Sequence, residues 1–466
     1  MLRRISNYRI GMRRDALVMI YRMYVRPILE FGCVLFSGAP AYKIRPLILL
    51  EREALRLCLG LPKTVSNCVL HLESRVPPLS CRFRILTVQT FLRIYETPLR
   101  QSETAFISTP ELFFGARWPR FHTPQVIFVQ RVLDPLNVRI SDITPTSYNS
   151  HPVDIQFDDI FPNNAKLLPR HTLDGLLQEH LQNINTNVII ATDASQCDEK
   201  SGVGIFSPNL DWSYSVRLPD FIPVFVAEFL AVVLALRKLN TEITSAVIIT
   251  DSLSLCAALS AGADSHVLKA FRALIPAHLR KVQLVWVPGH KGLFLNEMAD
   301  SLAKSSISGP ILPCLPPSAY VTAARFRRQS IMEGLAGSSL TNSTEYRHLL
   351  YTWRSSSCET RKLEVSITRL RCRVPKLNFY QHRSGQAPSP LCAFCGEFET
   401  IDHFFLTCRR FTTARRTHLE RPLSAMGMNL SVPVILSFGA SISGFSNAKV
   451  CVAVRNYISA TNRLTS

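Results

Sequence analysis

The chain has 466 residues, 47% of them hydrophobic, and a formal net charge of +19. That length allows two to four domains with a substantial buried core. No transmembrane helix is expected, because the longest charge-free stretches, 305–324 and 422–448, are broken by Pro, Ser, Gly and Asn; no secretory signal is expected, because Arg9, Arg13, Arg14, Asp15 and Arg22 interrupt any apolar leader.

The charge is uneven along the chain. Residues 1–100 carry 17 Lys/Arg against 6 Asp/Glu and residues 320–466 carry 20 against 8, whereas 101–186 carry 6 against 9 and 187–305 carry 10 against 11. Two basic flanks around a neutral-to-acidic middle suit phosphate-backbone contact through counterion release. Plain solubility of Arg-rich helices is the alternative. Thirteen cysteines without a secretory context are expected to be reduced thiols in an intracellular protein, with metal binding the exception to look for.

Residues 10–60 read as helical: Leu17, Ile20, Tyr21, Tyr24 and Ile28, then Leu47, Leu50, Ala54 and Leu57, recur near the helical period between breaks at Pro27, Pro40, Pro46 and Pro62. Residues 101–183 are punctuated by eight prolines from Pro110 to Pro169 and read as a linker with some local structure. The texture changes at 187. Val188–Thr192, Gly202–Phe206, a stretch with Trp212, Tyr214, Val216 and Leu218 at alternate positions, Ala246–Thr250 and Val282–Val287 suit five strands. Val224–Leu239, Leu253–Leu259, His266–Leu279 and Asn296–Lys304 suit helices between and after them. The expected fold is α/β, a mixed five-stranded sheet covered by helices and flanked by mainly helical basic regions. The expected boundaries are 1–100, a linker region 101–183, an α/β domain 184–308, a Pro- and Gly/Ser-rich linker 309–340, and a basic region 341–466.

Two strands end alike, Ala191-Thr192-Asp193 and Ile249-Thr250-Asp251, and parallel neighbours would bring both carboxylates to one edge of the sheet. Glu228 stands in an apolar helix, where burial is costly unless something positive compensates it. Asp300 follows Asn296-Glu297-Met298-Ala299. Alone, these residues would read as turn formers, an exposed side chain or a helix-end charge. Together they would repel unless divalent cations neutralise them. Hard oxygens suit Mg²⁺ or Mn²⁺, and two such ions can activate a water and stabilise the leaving oxygen of a phosphodiester.

The order Asp193, Glu228, Asp251, Asp300, with Val287-Pro288-Gly289-His290-Lys291-Gly292 before Asn296-Glu297-Met298-Ala299-Asp300, resembles the type 1 ribonuclease H family, and most of all the version fused to non-LTR retrotransposon reverse transcriptases. The resemblance covers 187–304. It implies an endonuclease that cuts the RNA strand of RNA/DNA hybrids, leaving a 5′-phosphate and a 3′-hydroxyl. It implies that Asp193 and Asp300 hold the metal of the nucleophilic water, that Asp193, Glu228 and Asp251 hold a second metal at the leaving oxygen, and that His290 assists proton transfer or product release. One departure is Leu295, where the family commonly has glycine, a substitution that bears on the pose of the loop. The competing readings are a catalytically decayed nucleic-acid-binding element and a different nuclease on the same fold, such as an integrase or DDE transposase. Intact carboxylates argue against the first, and the Gly289-His290 loop against the second.

Further on, Cys392, Cys395, His403 and Cys408 are spaced C-x₂-C-x₇-H-x₄-C, a donor set for a closed tetrahedral Zn²⁺ site. Chance clustering of core thiols is the plainer reading. The motif resembles the Cys/His element that follows RNase H in many retroelement polyproteins, where a structural or nucleic-acid-binding role is implied. Arg369, Arg371, Arg373, Arg409, Arg410, Arg415 and Arg416 flank it and fit contact with nucleic acid. At the other end, Tyr24–Gly32 and Ala54–Thr64 resemble the region after the polymerase palm in non-LTR reverse transcriptases. The resemblance implies the C-terminal part of a longer polyprotein, without polymerase activity of its own and with an upstream reverse transcriptase as a partner; Asp158-Asp159 lies in no strand context that would suit a polymerase pair.

Overall fold

A computed structural model describes residues 2–7, 10–96, 125–139, 143, 153–162, 164–184, 188–260, 265–316, 318–336, 345–353, 358–443 and 447–464. The proline-rich stretches at 97–124 and 144–152, and most of the Gly/Ser-rich stretch after 336, lie outside them. The contacts divide the chain into two units, one made of 84–330 and the other of 1–83 together with 331–466. No helix among the described residues is long and apolar enough to cross a membrane.

The 84–330 unit is built on a mixed sheet. Its strands are β1 (Asp154–Asp158), β2 (Ile189–Cys197), β3 (Lys200–Ser207), β4 (Trp212–Arg217), β5 (Ser245–Thr250) and β6 (Lys281–Trp286), in the order β1-β6-β5-β2-β3-β4. The β2-β3-β4 meander is antiparallel, while β5, β6 and β1 continue from β2 in parallel. The five strands expected from sequence are present. The sixth, β1, comes from the stretch read as a linker, and so does the Arg170–Asn183 helix.

The strands are apolar on both faces, as a sheet covered on both sides requires. Ile190, Ala246, Ile248, Val282 and Leu284 point to one core with the Val224–Arg237, Leu253–Ser260 and His266–Leu274 helices. Ala191, Val247, Ile249, Val285 and Val287 point to the other, where Leu173 and Leu177 of the 170–183 helix and Ala299 of the Phe294–Ser306 helix cover them. The 294–306 helix lies very close to β3, and two glycines permit it. A Cβ on Gly204 would fall 2.1 Å from the Ala299 carbonyl oxygen, and one on Gly202 would fall 2.5 Å from that of Ala303.

The other unit is helical. It joins segments distant in sequence through a buried ionic knot around Glu73. Arg14 Nη1 lies 2.9 Å and Arg371 Nε 3.1 Å from its carboxylate, and the Trp353 indole N–H donates to it at 2.7 Å. A second buried carboxylate, Glu364, accepts from the Arg14 amide at 2.8 Å and pairs with Arg361 at 2.5 Å. Three arginines expected to face nucleic acid are therefore occupied inside the unit. Arg371 is 1% exposed, Arg415 is buried with Nη1 on the Cys408 carbonyl at 3.1 Å, and Arg369 donates to the Gly60 carbonyl at 2.9 Å. Arg409, Arg410 and Arg416 remain exposed.

Candidate active site and metal centres

β2 and β5 run parallel with Ala191 opposite Ile249, so Asp193 and Asp251, each two residues further on, lie side by side where the two strands part. Asp193 begins to diverge from β5 while it still faces Gly204 on β3, the glycine beneath the 294–306 helix. That close approach brings Asp300 within hydrogen-bonding reach of Asp193. Glu228 arrives from the helix on the opposite face of the sheet. Asp193, Glu228 and Asp251 each offer an oxygen, and these oxygens lie within 4.8 Å of one another. His290 stands over the pocket with its Nδ1 4.0 Å from Asp300, its side chain 77% exposed. All five residues singled out from sequence for this site meet in one place.

The electrostatics of the pocket are those of a site short of positive charge. Burial, then the Asp193 and Asp251 charges, push the Glu228 carboxyl up to about 9. Burial, then Asp251, push Asp193 up as well. Burial also raises Asp251, against the pull of His290. Glu228 Oε2 is buried without a hydrogen-bond partner. An unpartnered buried carboxylate oxygen is expensive unless a cation or proton compensates it, and a divalent ion fits this all-oxygen donor set.

The loop from Gly289 to Gly292 shapes the mouth of the pocket. A Cβ on Gly289 would sit 2.5 Å from Asp251 Oδ2, so a larger residue there would have to displace the Asp251 carboxylate. His290 adopts a left-handed backbone, φ +57°, of the kind that clusters at functional sites. Leu295, flagged for a special dihedral, has no positive φ; it lies in the first turn of the 294–306 helix and packs into the core beneath the loop.

Two further residues belong to the site. Asn296 is buried, bonds to the Asp251 carboxyl and keeps its own Oδ1 unpartnered. Lys304 Nζ lies 2.6 Å from Asp300 Oδ2. Both were legible in principle, because 296, 300 and 304 are spaced by four and share a helix face.

The second cluster lies in the helical unit. Cys392, Cys395, His403 and Cys408 each offer one atom, all within 4.8 Å of one another. Cys395 Sγ is 3.1 Å from His403 Nε2 and 3.9 Å from Cys408 Sγ. A tight turn presents the first pair, with the Cys392 amide donating to Glu397 O at 2.7 Å and the Gly396 amide to Cys392 O at 2.9 Å. The other imidazole nitrogen, His403 Nδ1, is 3.0 Å from Glu397 Oε2, the carboxylate–histidine arrangement that orients metal-binding imidazoles. Burial raises the Cys408 thiol. At Cys392 burial acts the same way, but the Cys395 and Phe394 amides and His403 outweigh it and the thiol is lowered. Soft thiols and one imidazole fit a closed, four-coordinate metal site.

The family model for RNase H matches residues 185–308. The chain therefore carries an RNase H domain, whose fold class and nucleic-acid substrate agree with the sheet and the acidic pocket just described. No curated protein matches the chain.

Proposed function

We propose that the domain hydrolyses the RNA strand of RNA/DNA hybrids with two divalent cations, Mg²⁺ or Mn²⁺, as a type 1 ribonuclease H. The observation that supports this most is the convergence of Asp193, Glu228 and Asp251, with Asp300 beside Asp193, in a matched RNase H domain. Asp193 and Asp300 would hold one cation, and Asp193, Glu228 and Asp251 the other. When bound, the cations supply an activated water and charge stabilisation at the leaving oxygen. Asn296 orients Asp251, and Gly289 keeps the loop clear of it. His290, exposed above Asp300, is placed to carry a proton or to release product. Selection of a hybrid would rest on duplex shape and on 2′-hydroxyl contacts.

The Cys392, Cys395, His403 and Cys408 set would hold a structural Zn²⁺, since these donors are soft and part of a buried core. The motifs at 24–32 and 54–64 support a retrotransposon-derived protein that works with a reverse transcriptase. A decayed, binding-only protein gains nothing from the loop, because Leu295 fits a helix without strain.

The test incubates the protein with end-labelled hybrid, duplex DNA and duplex RNA in Mg²⁺. Cleavage of the RNA strand of the hybrid is expected, reduced by about three orders of magnitude in Asp193→Asn, since metal-based charge stabilisation is worth several kcal/mol. Cleavage that survives Asp193→Asn, or that ignores the hybrid, overturns the proposal.

A further inference from the structure

The RNase H match begins at residue 185, but the core beneath the candidate catalytic loop does not. Leu173 and Leu177 of the 170–183 helix are buried in the same cluster as Val287 and Leu293, which bracket that loop. Arg170 lies on the same helix face, three and seven residues before them. It rests against the loop itself, for a Cβ on Gly292 would lie 3.2 Å from Arg170 Cδ and 3.6 Å from its Nε and Nη1. Gly292 is also held by Glu297, whose Oε1 accepts the Gly292 amide at 3.1 Å.

The Arg170 guanidinium is not consumed by the fold. Its side chain is 62% exposed, and its ion partner Asp174, 3.2 Å away and one turn on, is itself 36% exposed. Exposed pairs of this kind contribute little and exchange readily for a stronger anion. The loop residue His290 is only two positions from Gly292, at most about 7 Å of backbone. A nucleic-acid strand advances about 3.4 Å per nucleotide. A cation one loop-width from the pocket therefore meets a phosphate a few nucleotides from the one being cut. The matched domain needs such help, since residues 187–305 carry 10 Lys/Arg against 11 Asp/Glu.

We propose that Arg170, supplied by the helix upstream of the matched domain, is a substrate contact that binds a backbone phosphate of the hybrid beside the catalytic loop. This rests on the hybrid-nuclease reading. Guanidinium is suited to the task because its planar fork binds phosphate bidentately.

The test measures hybrid binding by fluorescence anisotropy between 50 and 200 mM salt, in an Asp193→Asn background so that substrate survives. Adding Arg170→Ala is expected to weaken binding and to make the log–log salt slope shallower by about 0.9, one phosphate contact's worth. The affinity gap then narrows about 3.5-fold across that salt range. Arg170→Lys is expected to keep the slope. Weaker binding at an unchanged slope, as a displaced loop alone would give, overturns the proposal, and so does a slope lost equally with Lys. If the Asp193→Asn protein binds no hybrid at any salt, the nuclease reading itself fails.

Discussion

The two candidate metal clusters are built in opposite ways. The Cys/His cluster takes its donors from a single stretch, 392–408, through one tight turn and one short helix. The carboxylate pocket takes its donors from two strands and two helices spread over 193–300, and needs the whole sheet to bring them together. One is closed, soft and part of a hydrophobic core. The other is hard, opens toward an exposed histidine and leaves one oxygen unpartnered. Local donors suit a structural metal site, as proposed, and distant donors make a pocket whose charge is uncompensated by the protein.

The sharpest way to separate the clusters is to remove one. Cys395→Ser takes away the thiol that touches both His403 and Cys408. Bound zinc, measured by elemental analysis, should fall from one equivalent toward none, and the helical unit should lose cooperative melting, as small sites draw on the order of 10 kcal/mol from their metal. Hybrid cleavage in Mg²⁺ should persist. Loss of both together would mean that the clusters do not act independently.

Next in size is the knot that ties the helical unit across the sequence. Glu73→Leu leaves Arg14 and Arg371 buried without their shared carboxylate. A loss of about 3–5 kcal/mol in urea unfolding is expected. An unchanged midpoint would mean that the knot does not stabilise the unit. In the other unit, Gly289→Ala forces a methyl group into Asp251 Oδ2. Cleavage should drop about a hundredfold, the scale of a 1 Å misplacement in a reacting site, while the melting temperature holds.

The smallest effect concerns pH. Burial lowers His71 to about 4 and His348 to about 3. Their rings accept no proton in the folded state where the unfolded chain, near 6.5, does. Stability is thus full above pH 6.5 and falls as pH drops toward 4, by about 1 kcal/mol per histidine between 6.5 and 5.5. Urea midpoints at those two values check the sign, and a midpoint that rises on acidification contradicts it.

What sequence reveals follows the same division between local and distant. The Val- and Ile-rich strands, the apolar 224–237 helix and the C-x₂-C turn are local patterns and were legible. β1 and the 170–183 helix were obscured by surrounding prolines, although Ile155 and Phe157 alternate and Leu173, Leu177 and Leu181 keep a helical period. Asn296 sat in a quoted motif, and Lys304 at the end of an expected helix, without a role until the helix was seen against the pocket. The fate of Arg371 was out of reach, since its partner Glu73 lies 298 residues away. A surface cation and a buried one look alike in sequence.

Sharing of divalent cations by Asp193, Glu228, Asp251 and Asp300 can be seen in anomalous scattering from crystals grown in Mn²⁺. Two peaks about 3.5–4 Å apart are expected among these four carboxylates, absent in Asp193→Asn. Crystals that show no manganese at the pocket, with Lys304 still on Asp300, would contradict it.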